Sequence, residues 1–349
     1  MRRFLATTFA TALFATGVVG CSGAADTTTA APSEDKSNTK VLNLYSSRHY
    51  DADKEVYKMF EEETGIKLNV VEGKSGELIE RVTREANNPE ADVFLTVGAE
   101  SISQLNDAGV IADSTSETIA NNIPEKYRGE NWMGIVSRAR VIAYNKDTVD
   151  PSTIKTYEDI TKPEWKGKVL ARSSSSSYNQ ALLASFVALD GQEKATEWAQ
   201  GVVDNFAREP KGNDRDQAKA VAAGEGDLAI MNSYYWALMN RSSDPEVAKV
   251  TEKVGMIFPE KTHLNLSYAS VLKGAKNKDN AIKFLEFLSS EKTQEFIAQE
   301  NGEFPLNPKT GLPEPQKSWG EFTTQDLDFS TFGKDKPEAT RIFDQVGWK

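Results

Sequence analysis

The sequence predicts an α/β protein built as two lobes joined by two crossings. At 349 residues the chain is long enough for two sizeable cores. Short apolar runs of strand length alternate with segments of helical period, which implies crossover units and, in each lobe, a largely parallel sheet flanked by helices. Extended runs at 132–144, and again at 254–258 and 264–272, have the placement of an outward and a return crossing. Charged residues at 27% and hydrophobic residues at 39% are globular values, not those of a disordered chain or a membrane bundle. The formal net charge is -11, and loss of Arg2 and Arg3 with a leader makes the remainder more acidic still. Nucleic acid is a poor partner for such a surface.

Residues 1–20 carry Arg2-Arg3 and then an apolar run from Phe4 to Val19 broken by small residues and threonines, the pattern of a secretory signal peptide. The run is too short and too weakly apolar for a stable transmembrane anchor. Arg2-Arg3 fits either part of a twin-arginine signal or an ordinary charged start. Cys21 is the only cysteine, so it has no internal disulfide partner. Val18-Val19-Gly20-Cys21 resembles the bacterial lipobox, which implies a lipidated Cys21 followed by a polar tether that together span 21–40.

The folded body starts at Val41. Residues 41–45 alternate as a strand, Val56, Met59 and Phe60 mark a helix that stops at Thr64-Gly65, and 66–71 form a second strand. Ser75 is placed to cap a helix with Leu78, Val82 and Ala86 on its inner face; 91–95 is a third strand leading through Gly98 into another helix. In the second lobe, 168–171 is a strand that ends at Arg172, and the five serines 173–177 form a capping loop ahead of a helix with Leu182, Leu183, Phe186 and Val187 on one face. A helix at about 192–206, the segment 214–223 and a strand at 227–231 continue the alternation. Two more helices follow within 281–300. The Pro-, Gly- and charge-rich tail beyond Pro308 is expected to wrap the surface.

Tyr234-Tyr235-Trp236 stands at the exit of the apolar strand 227–231, where side chains can face a cleft. His49-Tyr50 stands at the exit of the first strand, and Tyr178 follows the strand at 168–171. An ordinary Tyr has a pKa of about 10, so its phenol is a poor ligand until a strongly polarising cation displaces the proton. Fe(III) can do this near neutral pH. Each tyrosine taken alone is more simply a packing residue with its hydroxyl bonded; what favours metal chemistry is the coincidence of donors at three separate strand exits. No cysteine remains in the folded body to recruit zinc or copper. His263 has no partner in this pattern and reads as structural.

Several stretches in order, SSRHYD at 46–51, SGELIERV at 75–82, ADVFLTVG at 91–98 and NSYYW at 232–236, resemble the ferric-iron-binding proteins of bacterial ABC importers, in particular their cyanobacterial branch. The resemblance spans essentially all of 41–349. It implies the two-lobed type II periplasmic-binding-protein fold, with a first lobe at 41–138 plus about 264–310 and a second at 139–263 plus about 311–349. It also implies a monomeric lipoprotein, at the periplasm or cell surface, that captures Fe(III) between the lobes and delivers it to an ABC permease, with no catalysis. Residue by residue, the ligand set becomes His49, Tyr50, Tyr178, Tyr234 and Tyr235, with Tyr144 as competitor for the third tyrosine.

Four phenolates and a neutral imidazole around Fe(III) leave one negative charge in excess, so a cation is expected beside the ligands; Arg140 and then Arg48 are the candidates. The competing reading keeps the fold and binds a small organic cation or an oxyanion. A secreted hydrolase finds no G-x-S-x-G, no H-E-x-x-H and no cysteine nucleophile in the body.

Overall fold

The computed structural model describes residues 40–86 and 88–349. The leader, Cys21 and nearly all of the tether lie outside the described residues. The strands are β1 (Val41–Ser46), β2 (Lys67–Glu72), β3 (Val93–Val97), β4 (Met133–Asn145), β5 (Val169–Leu170), β6 (Leu228–Asn232), β7 (Val254–Ile257), β8 (Leu264–Val271) and β9 (Phe304–Pro305).

β1 lies between β2 and β3, parallel to both, and buries Leu42 and Leu44. The helix Asp51–Thr64 covers this sheet with Val56, Tyr57 and Phe60. It ends where Gly65 takes a left-handed conformation, φ 67°, and donates its N–H to Glu61 O. Ser75 does not cap the next helix, Ser75–Glu85; the capping position is Lys74. The Ser75 hydroxyl instead reaches Ser101 at 2.7 Å and Thr96 at 3.2 Å, tying that helix to β3 and to the helix Ala99–Asp107.

β4 is the outward crossing. Over Met133–Ala139 it pairs antiparallel with β8, and with β9 at Val136 and Ser137. From Arg140 to Tyr144 it pairs instead with β6, and with β7 at Ile142–Asn145. The strand therefore changes sheet between Ala139 and Arg140, and the segment 258–263 between β7 and β8 makes the return. β5 and β6 are parallel. The parallel part of each sheet is smaller than the strand–helix alternation suggests, because both crossings run back antiparallel through it.

The two crossings are bonded to each other. Arg140 N donates to His263 O at 2.9 Å, His263 N donates to the Tyr157 hydroxyl at 3.1 Å, and that hydroxyl donates to Arg140 O. His263 is buried, and desolvation pushes its imidazole down to about 4, so the ring is neutral. It serves the crossing through Nδ1, 2.8 Å from Gln325 Oε1.

The tail runs largely exposed through 309–326, but its end does not wrap the surface. Helix Lys336–Val346 buries Ala339, Ile342, Phe343 and Val346, an i, i+3, i+4, i+7 stripe, and packs on the helices Ser177–Asp190 and Gln192–Asp204. Trp348 follows it into the core. Pro, Gly and charge dominate the tail's composition and hide this short stripe. Among the described residues no helix is long and apolar enough to cross a membrane.

Candidate metal centre

Each tyrosine of interest sits at the start of a helix. Tyr50 is the residue before helix Asp51–Thr64, with φ -82° and ψ 147°, and its N–H donates to Asp53 Oδ2 at 3.3 Å. Tyr178 is the second residue of helix Ser177–Asp190, and Tyr234 and Tyr235 lie in the first turn of helix Ser233–Asn240, directly after β6. Unpaired N–H groups in a first helical turn carry partial positive charge, which favours a phenolate over a phenol.

The rings gather. Tyr50 and Tyr234 meet edge to face with centroids 6.0 Å apart, although one follows β1 and the other β6. Tyr234 and Tyr235 lie 4.0 Å apart, and His49 stacks on Tyr50 at 5.7 Å. Tyr178 is close enough that its charge raises the pKa of both Tyr50 and Tyr234. Tyr234 is buried, Tyr50, Tyr178 and Tyr235 are half-buried and His49 is exposed, with Nδ1 3.3 Å from Ser47 O. Tyr144 stands apart. It pairs with Leu228 at the far end of β6 and packs on Gly255, roughly 13 Å along β4 from Arg140.

Three arginines enclose the rings. Arg138 lies 5.6 Å from the centroids of both Tyr50 and Tyr234, Arg48 lies 4.9 Å from Tyr50, and Arg140 lies 6.0 Å from Tyr178. Half-buried Arg172 is 5.9 Å from Tyr178, and exposed Arg215 is 5.1 Å from Tyr235. The sequence reading named Arg140 and Arg48 and missed Arg138 and Arg172. The signal for Arg138 was present: Arg138 and Arg140 are two apart in an apolar strand and so project from one face.

The arginines are held by buried carboxylates. Arg48 pairs with Asp53 at 2.8 Å and with Glu303 at 3.1 Å, and Glu303 also pairs with Arg138. Burial alone would raise the Glu303 carboxyl, but the two guanidiniums hold it below the ordinary carboxylate range. Asp214 accepts from Arg140 Nη1 at 3.0 Å, from Asn232 N at 2.9 Å and from Arg172 Nη1 at 3.4 Å.

Burial raises the phenols of Tyr50, Tyr234 and Tyr235 above the ordinary value, and the neighbouring phenols add to it for Tyr50 and Tyr234. Arg138 works in the opposite direction on Tyr50 and Tyr234. A unit charge some 6 Å away contributes roughly 3 kcal/mol at an effective dielectric of about 20. Desolvation outweighs it here, so these phenols stay protonated without a further cation. Arg138 Nε and Nη1, Arg140 Nε and Arg172 Nε are buried and have no hydrogen-bond partner among the described residues. Such orphaned donors are costly. Among the described residues no group of three or more His, Cys, Asp or Glu is placed to hold a metal. The oxygen-rich phenol set suits a hard, highly charged ion.

A family model described as bacterial extracellular solute-binding protein matches residues 55–324. The chain is 45% identical to iron uptake protein A1 of Synechocystis sp. over 314 residues, covering 88% of this chain and 87% of that protein. A solved Trichodesmium structure (IdiA, FutA) described as a complex with iron and citrate superposes with a TM-score of 0.84 at 46% identity, covering 88% of this chain and all of the other. A ferric binding protein from Campylobacter jejuni gives a TM-score of 0.82 at 41% identity, covering 88% of this chain and all of the other.

Proposed function

The chain belongs to the bacterial extracellular solute-binding proteins and has the two-lobed type II periplasmic-binding-protein fold, and on that premise we propose that it captures Fe(III) and hands it to an ABC permease. The iron uptake and ferric-binding relatives support this cargo. The ligands are His49, Tyr50, Tyr178, Tyr234 and Tyr235. The observation that carries the assignment is the meeting of phenols from separate strand exits with centroids 6.0 Å apart, beside buried guanidiniums that are paired on one side and keep nitrogens without acceptors on the other. Tyr178 rather than Tyr144 completes the set, because only Tyr178 is coupled by charge to Tyr50 and Tyr234.

Iron supplies the polarising charge that burial otherwise defeats, and each bound phenol releases its proton. The first lobe, 41–138 with about 264–310, brings His49 and Tyr50; the second, 139–263 with about 311–349, brings the other three tyrosines. Coordination then couples to closure about the two crossings. The protein acts as a monomeric carrier without catalysis, exported by the signal peptide at 1–20 and held at the membrane through lipidated Cys21. An organic cation in this cleft would face Arg138, Arg140 and Arg172, which weighs against that reading.

The test is titration of metal-free protein with ferric citrate, followed by visible absorbance. A phenolate-to-iron band that saturates at one iron per chain and is weakened in Tyr234→Phe and Tyr178→Phe supports the proposal. A colourless solution that keeps no metal after desalting refutes it.

A further inference from the structure

We propose that Trp348 is a positioning residue for the iron site, acting through the loop that presents Arg172 and Tyr178; this role rests on the ferric reading above. The loop 172–176 has little grip of its own. The N-capping Ser176 makes no side-chain cap, and its buried hydroxyl has no partner among the described residues. The Ser173 and Ser175 hydroxyls bond only to each other and to Ser175 N, and Ser173 O takes a long 3.3 Å bond from Asn179 Nδ2 besides the turn bond from Ser176 N. The anchors come from outside it. Trp348 Nε1 donates to Arg172 O at 2.9 Å, and Ser174 N donates to Lys349 O at 3.0 Å. Asn179 Nδ2 donates to the same Arg172 O at 3.0 Å, while Asn179 Oδ1 accepts from Arg140 Nη2.

Trp348 is itself fixed. Its ring lies edge-on to Phe206 at 5.0 Å and to Phe343 at 4.9 Å, with Trp198 at 6.2 Å, and only 2% of the residue is exposed. A rigid indole thus carries the position of the core of the second lobe to the Arg172 carbonyl, and from there to the guanidinium and phenol on either side of the serines. Iron coordination is sensitive to such support, since groups that orient a ligand commonly change metal affinity by 10- to 100-fold. The indole touches no ligand and bonds to the loop alone, so its influence should pass through Tyr178 and Arg172.

The experiment uses the full chain. Trp348→Phe keeps an aromatic ring in the pocket and removes the N–H; Phe343→Leu loosens the same cluster and leaves the N–H in place. Both are combined with Tyr178→Phe. Two readouts are taken: the rate at which a competing chelator strips Fe(III), and hydrogen exchange of the 174–176 amides in metal-free protein. We expect Trp348→Phe to speed iron loss about three- to tenfold, the weight of one hydrogen bond, to shift the phenolate-to-iron band, and to speed exchange in the loop. Phe343→Leu should lower the thermal midpoint without these effects. In the Tyr178→Phe background, Trp348→Phe should add less to iron loss than it does in the wild type, the remainder passing through Arg172. If wild-type protein takes iron and Trp348→Phe leaves its loss unchanged, or accelerates it equally without Tyr178, the positioning role is overturned while the ferric reading stands. If wild-type protein takes no iron, both fall.

Discussion

On the side of β1, Arg48 and Arg138 stand against Tyr50 with two carboxylates, Asp53 and Glu303, between them; on the side of β6, Arg140 and Arg172 stand against Tyr178 and share one, Asp214. The first network is balanced within itself and the second carries one positive charge in excess. In the proposed site a ferric ion with four phenolates and an imidazole would carry one negative charge in excess. The difference teaches that the two halves are built for separate work: the balanced network holds a buried strand exit in place, and on the proposed coordination the unbalanced one would supply the compensating charge.

The most severe way to break this comparison is at the ring where the halves meet. Tyr234 is the most buried of the phenols and lies against Tyr50, Tyr235 and Arg138. Tyr234→Phe should weaken iron retention on the order of a hundredfold or more, measured by competition with a chelator, while Tyr144→Phe leaves it unchanged. An equal loss in both would place the third tyrosine wrongly.

Glu303→Ala leaves two buried guanidiniums with too few partners, and losing one member of such a network costs about 3–5 kcal/mol. Denaturant unfolding of metal-free protein should show that loss. Arg172 is half-buried, and Arg172→Met should cost the fold little while weakening iron retention about tenfold. Were Arg172→Met to destabilise as much as Glu303→Ala with no effect on iron, the division between the halves would collapse.

Proton release sharpens the electrostatic side. The phenols of Tyr50, Tyr234 and Tyr235 are raised by burial, so the metal-free site holds their protons through neutral pH, and iron bound as proposed would displace them. Apparent affinity must therefore rise with pH, about tenfold per pH unit for each proton displaced. Isothermal titration in buffers of different ionisation enthalpy counts those protons. Affinity independent of pH would mean that the phenols are not the ligands. The smallest effect among the proposed ligands is expected at the edge: His49 is exposed and held only by stacking and one 3.3 Å contact, so His49→Ala should speed iron loss by roughly a few fold, less than a change at Tyr50, Tyr178, Tyr234 or Tyr235.

Much of this was legible in the chain. Alternation and helical spacing placed β1, β5 and β6, and with them the strand exits that precede Tyr50, Tyr178 and Tyr234. The charge network was not, because its partners are remote in sequence: Glu303 reaches Arg48 and Arg138, and Asp214 reaches Arg140. Only the pairing of β4 with β8 and then β6 brings them to one place. The serines at 173–177 read as capping hydroxyls, yet the loop depends on Trp348, a residue in a tail whose composition resembles surface chain. A four-residue apolar stripe in helix Lys336–Val346 was the available clue, and it was too short to outweigh its setting.

The central claim is that phenol oxygens from both halves ionise onto a single iron, and resonance Raman excitation into the visible band of the loaded protein tests it most directly. Enhanced tyrosinate ring modes, weakened in Tyr50→Phe as well as in Tyr178→Phe, are the predicted result. Bound iron with no tyrosinate modes, or modes that respond to the tyrosines of one half alone, would contradict it.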